Sequence, residues 1–401
     1  MRPPPRSRRV LSLLVTLLLC APLTFAALGA GAVTSPAAAA DDDFYTPPSP
    51  LPPGPAGGII RSRAVTSPNA TAKAWQILYR SADAAGTPIA VSGTVLVPTA
   101  AYTGTRPLIA YAAGTQGWGD QCAPSKAMVS KLFDEQFAVD NLLARGWAVV
   151  ATDYPGLGTP GTELYNVGVA EGHAVLDSLR AAGDLPGAGL SRTAQTAIEG
   201  YSQGGGAAGW AAQQQPAYAP DVRLVGVAAG GIPSNLQAVA QNINGSSFFA
   251  FLAGTAAGFD AAYPALDMNR YLSDEGRAAL QKLSGMCQIE ALLTYAGKRI
   301  EDYTIGGVNP MNNPDWKAAL DANNLGATRP AAPMLQYHGL LDEVIPPASA
   351  RALQRAYCSM GVATRLNFYA GDHPLTHVFA QNDVGTWLAD RLAGKAPPRN
   401  C

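Results

Sequence analysis

Apolar positions along this chain gather into short runs separated by stretches with helical spacing. The first two runs, 75–81 and 88–98, flank the turn-like Asp83-Ala84-Ala85-Gly86 and read as an antiparallel hairpin. Further runs follow at 107–112, 147–152, 196–200, 222–228, 334–337 and 365–369. Helical patterns fall between and after them, over 125–144, 168–182, from Gly204 onward, 348–361 and 383–392. Short apolar strands alternating with helices predict an α/β fold. Its sheet is mostly parallel, eight-stranded, and covered by helices on both faces.

The rhythm breaks between Gly231 and Pro330, about a hundred residues with no strand at the expected spacing. Helical patterns at 274–283 and 316–323 lie among aromatics and glycines there. This predicts a cap insertion at about 231–330 over the C-terminal edge of the sheet, where open α/β sheets bind ligands. Residues 41–58 are rich in proline and glycine (Pro47-Pro48, Pro52-Pro53-Gly54-Pro55) and predict an extended, poorly folded lead-in. No internal repeat appears, so 59–401 reads as one domain carrying the insertion.

The first forty residues have a different character. Arg2, Arg6, Arg8 and Arg9 precede an uncharged apolar run over 10–27, and Ala37-Ala38-Ala39-Ala40 supplies small residues before Asp41. That order predicts a secretory signal peptide over 1–40. Its removal would take four arginines and no acid, moving the net charge from −1 to −5. No later apolar run is long enough to span a membrane; the longest, 248–259, is interrupted by Gly254 and Gly258. Basic clusters of the kind that bind nucleic acid are missing. Beyond the leader remain Cys122, Cys287, Cys358 and Cys401, an even set that in an exported chain predicts two disulfides. Four cysteines allow three pairings, and spacing does not choose among them. No Cys-x-x-Cys metal spacing accompanies them.

One motif carries chemistry sharply. Gly200-Tyr201-Ser202-Gln203-Gly204 lies where an apolar β run ends and a small-residue helix begins. A nucleophile elbow needs that setting, because a tight turn lifts the serine clear of the sheet. Serine is a weak nucleophile at neutral pH and requires a base held by an acid, following in the order Ser, Asp or Glu, His. Asp342 stands in the loop at the C-terminal edge of the strand candidate at 334–337, with Glu343 as the alternative acid. One β-α-β step later come Gly371-Asp372-His373, with His377 four positions on. His373 is favoured as the base because it stands closer to the strand end, in the loop expected to swing over the nucleophile. The developing oxyanion would be met by the backbone N–H of Gln203 and by the loop Ala113-Gly114-Thr115-Gln116-Gly117, with Thr115 as its donor. Asp153-Tyr154-Pro155-Gly156-Leu157-Gly158 reads as a turn, since no lysine follows to hold a phosphate, and His173 reads as a packing or surface residue.

With these motifs in order, the chain resembles the secretory lipase family of α/β-hydrolases. The likeness runs from Asp43-Phe44-Tyr45-Thr46-Pro47-Pro48 through Gly114-Thr115-Gln116-Gly117 and Cys122-Ala123-Pro124-Ser125. It continues through the turn at 153–158, the elbow, and His338-Gly339 with Asp342 and Pro346, to Trp387-Leu388-Ala389-Asp390-Arg391 and Cys401. A departure is Ala112-Ala113 before Gly114, where members of the family often carry a histidine. The resemblance implies hydrolysis of triacylglycerols or simpler carboxylic esters without a cofactor, and a helical cap that forms the acyl site. It also implies the pairing Cys122–Cys287 and Cys358–Cys401, and it selects His373 through the Gly-Asp-His run. A lipid or small-ester substrate is the only partner expected, with transient contact at a lipid interface left open. A peptidase, an acyltransferase or an inactive hydrolase-like binding protein on the same fold are the rival readings.

Overall fold

The computed structural model describes Asp43–Cys401, so the leader expected over 1–40 lies outside the described residues. The chain opens with β1 (Ile59–Val65), β2 (Ala72–Ala82) and β3 (Pro88–Pro98), an antiparallel meander. Then come β4 (Leu108–Ala112), α1 (Pro124–Ser130), α2 (Gln136–Ala144), β5 (Ala148–Thr152), α3 (Gly168–Gly183), β6 (Thr196–Tyr201), α4 (Gln203–Tyr218) and β7 (Leu224–Gly230). Five helices follow without adding to the sheet: α5 (Leu236–Ile243), α6 (Phe249–Ala262), α7 (Asp274–Leu283), α8 (Gln288–Tyr295) and α9 (Pro314–Ala322). The chain closes with β8 (Met334–Gly339), α10 (Pro347–Ser359), β9 (Thr364–Tyr369) and α11 (His373–Leu392).

All nine strands form one sheet in the order β1-β2-β3-β5-β4-β6-β7-β8-β9, parallel from β5 onward. This is the α/β-hydrolase architecture. Alternation along a single strand explains its two cores, since successive side chains point to opposite faces. Leu108, Ala110 and Ala112 of β4 pack with Val175, Ala208 and Leu353 from α3, α4 and α10. Ile109 and Tyr111 pack with Leu142, Val384 and Leu388 from α2 and α11. A third core lies among the inserted helices, where Phe249, Phe259, Leu252 and Trp316 pack together. The strand order turns back at β4, whose neighbours β5 and β6 lie on opposite sides, and such a switch point opens a crevice at the strand ends.

Four expectations are corrected. The sheet has nine strands rather than eight; the ninth, β1, is an edge strand whose Arg61 and Arg63 hide its strand character. The helix expected over 125–144 is two helices, broken where Lys131 turns left-handed at φ 60°. The lead-in is anchored at its start: Phe44 and Tyr45 are buried, and the Tyr45 hydroxyl bonds Ser125 Oγ at 2.9 Å and accepts from Gln76 Nε2 at 2.7 Å. The last helix begins at His373, ten residues before the expected 383. Its start is set by Asp372, whose side chain accepts the Leu375 N–H at 2.9 Å, and by Pro374 in the first turn.

Both disulfides pair as the resemblance implied, Cys122 with Cys287 and Cys358 with Cys401. The first joins the segment before α1 to the head of α8. Beside it the backbones of Gly117 and Cys287 bridge, and Gln288 N–H donates to Gln116 O at 2.9 Å. The inserted helices are thus tied to the loop after β4.

Candidate active site

Ser202 stands between β6 and α4 with φ 58° and ψ −122°, a conformation that an L-residue holds only when its surroundings impose it. The flanking glycines permit the turn. A Cβ on Gly200 would lie 2.3 Å from Gly204 O, and one on Gly204 would lie 1.8 Å from Ala112 O. Strand and helix meet too closely there for any side chain. Ser202 N–H donates to Gly230 O at 3.0 Å, tying the turn to the neighbouring strand.

The other two expected residues meet this serine. His373 Nε2 lies 2.9 Å from Ser202 Oγ, and His373 Nδ1 lies 2.8 Å from Asp342 Oδ2. An ionised carboxylate only accepts, so Nδ1 carries the proton and Nε2 is left to receive one from the serine. Asp342 Oδ1 accepts from the N–H groups of Val344 and Ile345 at 3.0 and 2.8 Å. Burial alone would push the Asp342 carboxyl up, but the bond to His373 and these amides hold it below the ordinary carboxylate range. Glu343, the alternative acid, is turned elsewhere and accepts the His373 backbone N–H at 3.0 Å. His377 does not reach the serine; it is buried against Tyr201 and Phe137.

Gln203 heads α4, where helix geometry leaves the first amides without an upstream carbonyl; Gly206 N–H is bonded to Ser202 O. Thr115, in the loop after β4, lines a cleft shared with Ser202 and His373, its Oγ1 2.7 Å from the Tyr165 hydroxyl. Gly114 cannot serve as a free donor, since its N–H is spent on Glu135 Oε2 at 2.8 Å.

Several buried carboxyl groups around the site have no counterpart in the motifs. Glu135 accepts from Gly114 N–H and, at 3.0 Å, from the Tyr111 hydroxyl, so it holds the loop that carries Thr115. Burial pushes its pKa up to about 8. Glu163 and Glu171 both accept from the Gln203 side-chain amide, at 3.0 and 2.8 Å, fixing the residue that follows the serine. Burial raises Glu163 as well and takes Glu171 to about 7. His338 backs the acid, its Nε2 donating to Ile345 O at 3.0 Å and lying 3.3 Å from Asp342 Oδ2. Only His338 gave a signal, as part of the His-Gly run before Asp342; the glutamates are scattered through polar loops and helices. His173 is a packing residue, stacked on Tyr218 with ring centroids 3.8 Å apart.

Ser202 borders two spaces. One is an apolar cavity reaching among the inserted helices, lined by Leu236, Val239, Ile243, Phe251 and Trp316 besides Ser202 and Gln203. The other is a more open cleft whose wall includes Thr115, His373, Phe137, Ile289, Leu292 and Val378. Among the described residues no cluster of three or more potential metal ligands occurs.

Known proteins resemble this chain to differing extents. Lipase A of Candida antarctica in its closed state superposes with a TM-score of 0.81 at 24% identity, covering 90% of this chain and 88% of that one. That likeness is one of fold. A secreted triacylglycerol lipase of Malassezia globosa is 30% identical over 90% of this chain and 81% of its own length. A probable inactive lipase of Mycobacterium tuberculosis is likewise 30% identical, over 88% of this chain and 82% of its own. The profile of the family described as secretory lipase matches residues 123–400, and the chain belongs to that family.

Proposed function

We propose that this protein is a secreted serine hydrolase that cleaves carboxylic esters, triacylglycerols among them, through Ser202, His373 and Asp342. The hydrogen-bonded series from Asp342 to His373 to Ser202, placed on an elbow beside an apolar cavity, carries the reading. His373 Nε2 takes the serine proton as Oγ attacks the ester carbonyl, and Asp342 stabilises the imidazolium that forms. The carbonyl oxygen, now negative, is met by Gln203 N–H and by Thr115, each such donor being worth about 3 kcal/mol in the barrier. His373 then passes its proton to the departing alcohol, leaving an acyl-enzyme that water hydrolyses by the same steps in reverse.

The two spaces beside Ser202 fit the two halves of an ester. The acyl chain enters the apolar cavity, and the alcohol occupies the open cleft. Two disulfides and the leader pattern support export, as does the name of the Malassezia globosa relative. The existence of a probable inactive relative makes activity itself the point to test. Wild-type protein should release fatty acid from tributyrin, cleave no aminoacyl anilide, and be labelled by a fluorophosphonate. Ser202→Ala should lose both turnover and label. A wild type that neither turns over nor labels would leave an inactive binding protein as the reading.

A further inference from the structure

A second apolar cavity lies within the inserted helices and is lined by Phe249, Leu272, Leu280, Leu283 and Tyr295 among others. It shares three wall residues with the cavity beside Ser202: Ala256, Met268 and Ile300. Unfilled apolar space forfeits contacts, and an apolar chain that entered beside Ser202 and outgrew the first cavity would meet the second under the same helices. The shared wall is where that chain would have to pass.

The three residues differ in how they can yield. Ala256 is too small to block a passage, and Ile300 is β-branched and stiff at its first torsion. Met268 is unbranched, with a flexible thioether side chain that adapts to its surroundings. Its backbone is held firmly, because Met268 N–H donates to Asp260 Oδ1 at 2.7 Å and Asp267 before it is left-handed at φ 43°. A fixed main chain carrying an unbranched, adaptable side chain at the shared wall is the arrangement of a movable partition.

We propose that Met268 sets the acyl-length preference of this enzyme. Acyl groups of medium length fill the first cavity against it, and long acyl groups displace its side chain and run on into the second. The proposal rests on the ester-hydrolase reading and names the specificity of the same site.

The test is kcat/KM on p-nitrophenyl butyrate, octanoate and palmitate for wild type, Met268→Ala, Met268→Phe and Leu280→Trp. Removing the Met268 side chain should raise the palmitate-to-octanoate ratio by about tenfold, the scale of one or two methylenes accommodated in a pocket, and Phe should lower it. Leu280 lines the second cavity and not the one beside Ser202, so Trp there should depress palmitate turnover about tenfold and leave butyrate unchanged. Should Leu280→Trp fail to fold, Ala253→Leu, which narrows the same cavity, replaces it. Folded Met268→Ala and cavity-filling variants with wild-type ratios would overturn the proposal. Failure of the hydrolase reading is seen separately, as absence of turnover on all three esters by wild type. In that event displacement of a fluorescent long-chain fatty acid by octanoate and palmitate reads the same preference by binding, and Met268→Ala must still shift it.

Discussion

The imidazole of His377 lies parallel to the Tyr201 ring, with centroids 4.6 Å apart and planes within 5°. The same tyrosine donates its hydroxyl to His373 O at 2.6 Å. One ring, adjacent in sequence to the serine, therefore covers one histidine and anchors the backbone of the other. Residues one helical turn apart share a face, so both imidazoles point toward the elbow, and this contact separates their roles. Burial, with the nearby His373, pushes the His377 pKa down to about 3, which keeps it neutral.

Replacing these histidines separately should give opposite results. His373→Ala should lower kcat at least ~10³-fold, as loss of a member of a cooperating set does. His377→Ala should keep turnover within about tenfold while lowering Tm, because it leaves a cavity against Tyr201. Single-turnover kinetics and thermal melts on both purified variants check this; an inactive, well-folded His377→Ala beside an active His373→Ala would reverse the assignment.

Stability should fall as pH rises from mildly acidic to mildly alkaline. Burial raises Glu135 from 4.5 to about 8, Glu171 and Glu199 to about 7, and Asp153 from 3.8 to about 6. The folded chain keeps protons that the unfolded chain releases, so this contribution is complete below the ordinary carboxyl pKa and disappears by about pH 8. Asp342 and His377 act in the opposite sense. Asp342 loses its contribution only as strong acid protonates it, and His377, held neutral in the fold, costs stability below its ordinary pKa of about 6.5. The four carboxyls outweigh it across the window. Melting curves from pH 5 to 8.5 should show declining Tm. Glu135→Gln, which keeps an oxygen for Gly114 N–H, should flatten the upper part of that decline; a Tm that climbs across the window contradicts the account.

Gly204→Ala should be among the most damaging single-methyl additions in the chain. Its Cβ would sit 1.8 Å from one backbone oxygen, Ala112 O, and 2.8 Å from another, Ala113 O, so α4 must move off the sheet. A loss of about 3 kcal/mol or more is expected. At Gly285 the nearest atom to an added Cβ is 3.8 Å away, and alanine there should change stability by no more than about 0.5 kcal/mol. Urea titrations of the two variants give the comparison, and equal midpoints would refute it.

The two disulfides should be separable by their effect on activity. Each should contribute about 2–4 kcal/mol of stability. The Cys122–Cys287 bridge also abuts the Gly117 backbone bridge that holds the loop bearing Thr115. Cys122→Ser with Cys287→Ser should therefore lower both Tm and kcat. Cys358→Ser with Cys401→Ser, at the far end of α10, should lower Tm while kcat at 25 °C stays near wild type. Ester turnover measured well below each melting point distinguishes loosening of the site from loss of folded protein.

Much of this molecule was readable along the chain because it depends on neighbours in sequence. Strands buried on both faces are mostly apolar, so β4 to β8 stood out as runs despite Glu199 in β6 and Gln336 and His338 in β8, and the elbow's glycines announced a backbone approach that tolerates no side chain. The order of Ser202, Asp342 and His373 followed from loops that return to one sheet edge. Local pattern failed where partners are remote. β1 hides its strand character behind edge arginines, and α11 begins early because a cap and a proline, rather than apolar spacing, decide its start. Glu135 meets Gly114, and Glu163 and Glu171 meet Gln203, across 21 to 40 residues of chain. Nothing near a glutamate in sequence records that it will be buried. The partition at Met268 is likewise a property of helices packed together, not of the residue's neighbours. Secondary structure and backbone turns answer to short-range sterics and hydrophobic period; burial of charge and the shape of a cavity arise only when distant segments exclude water from one another.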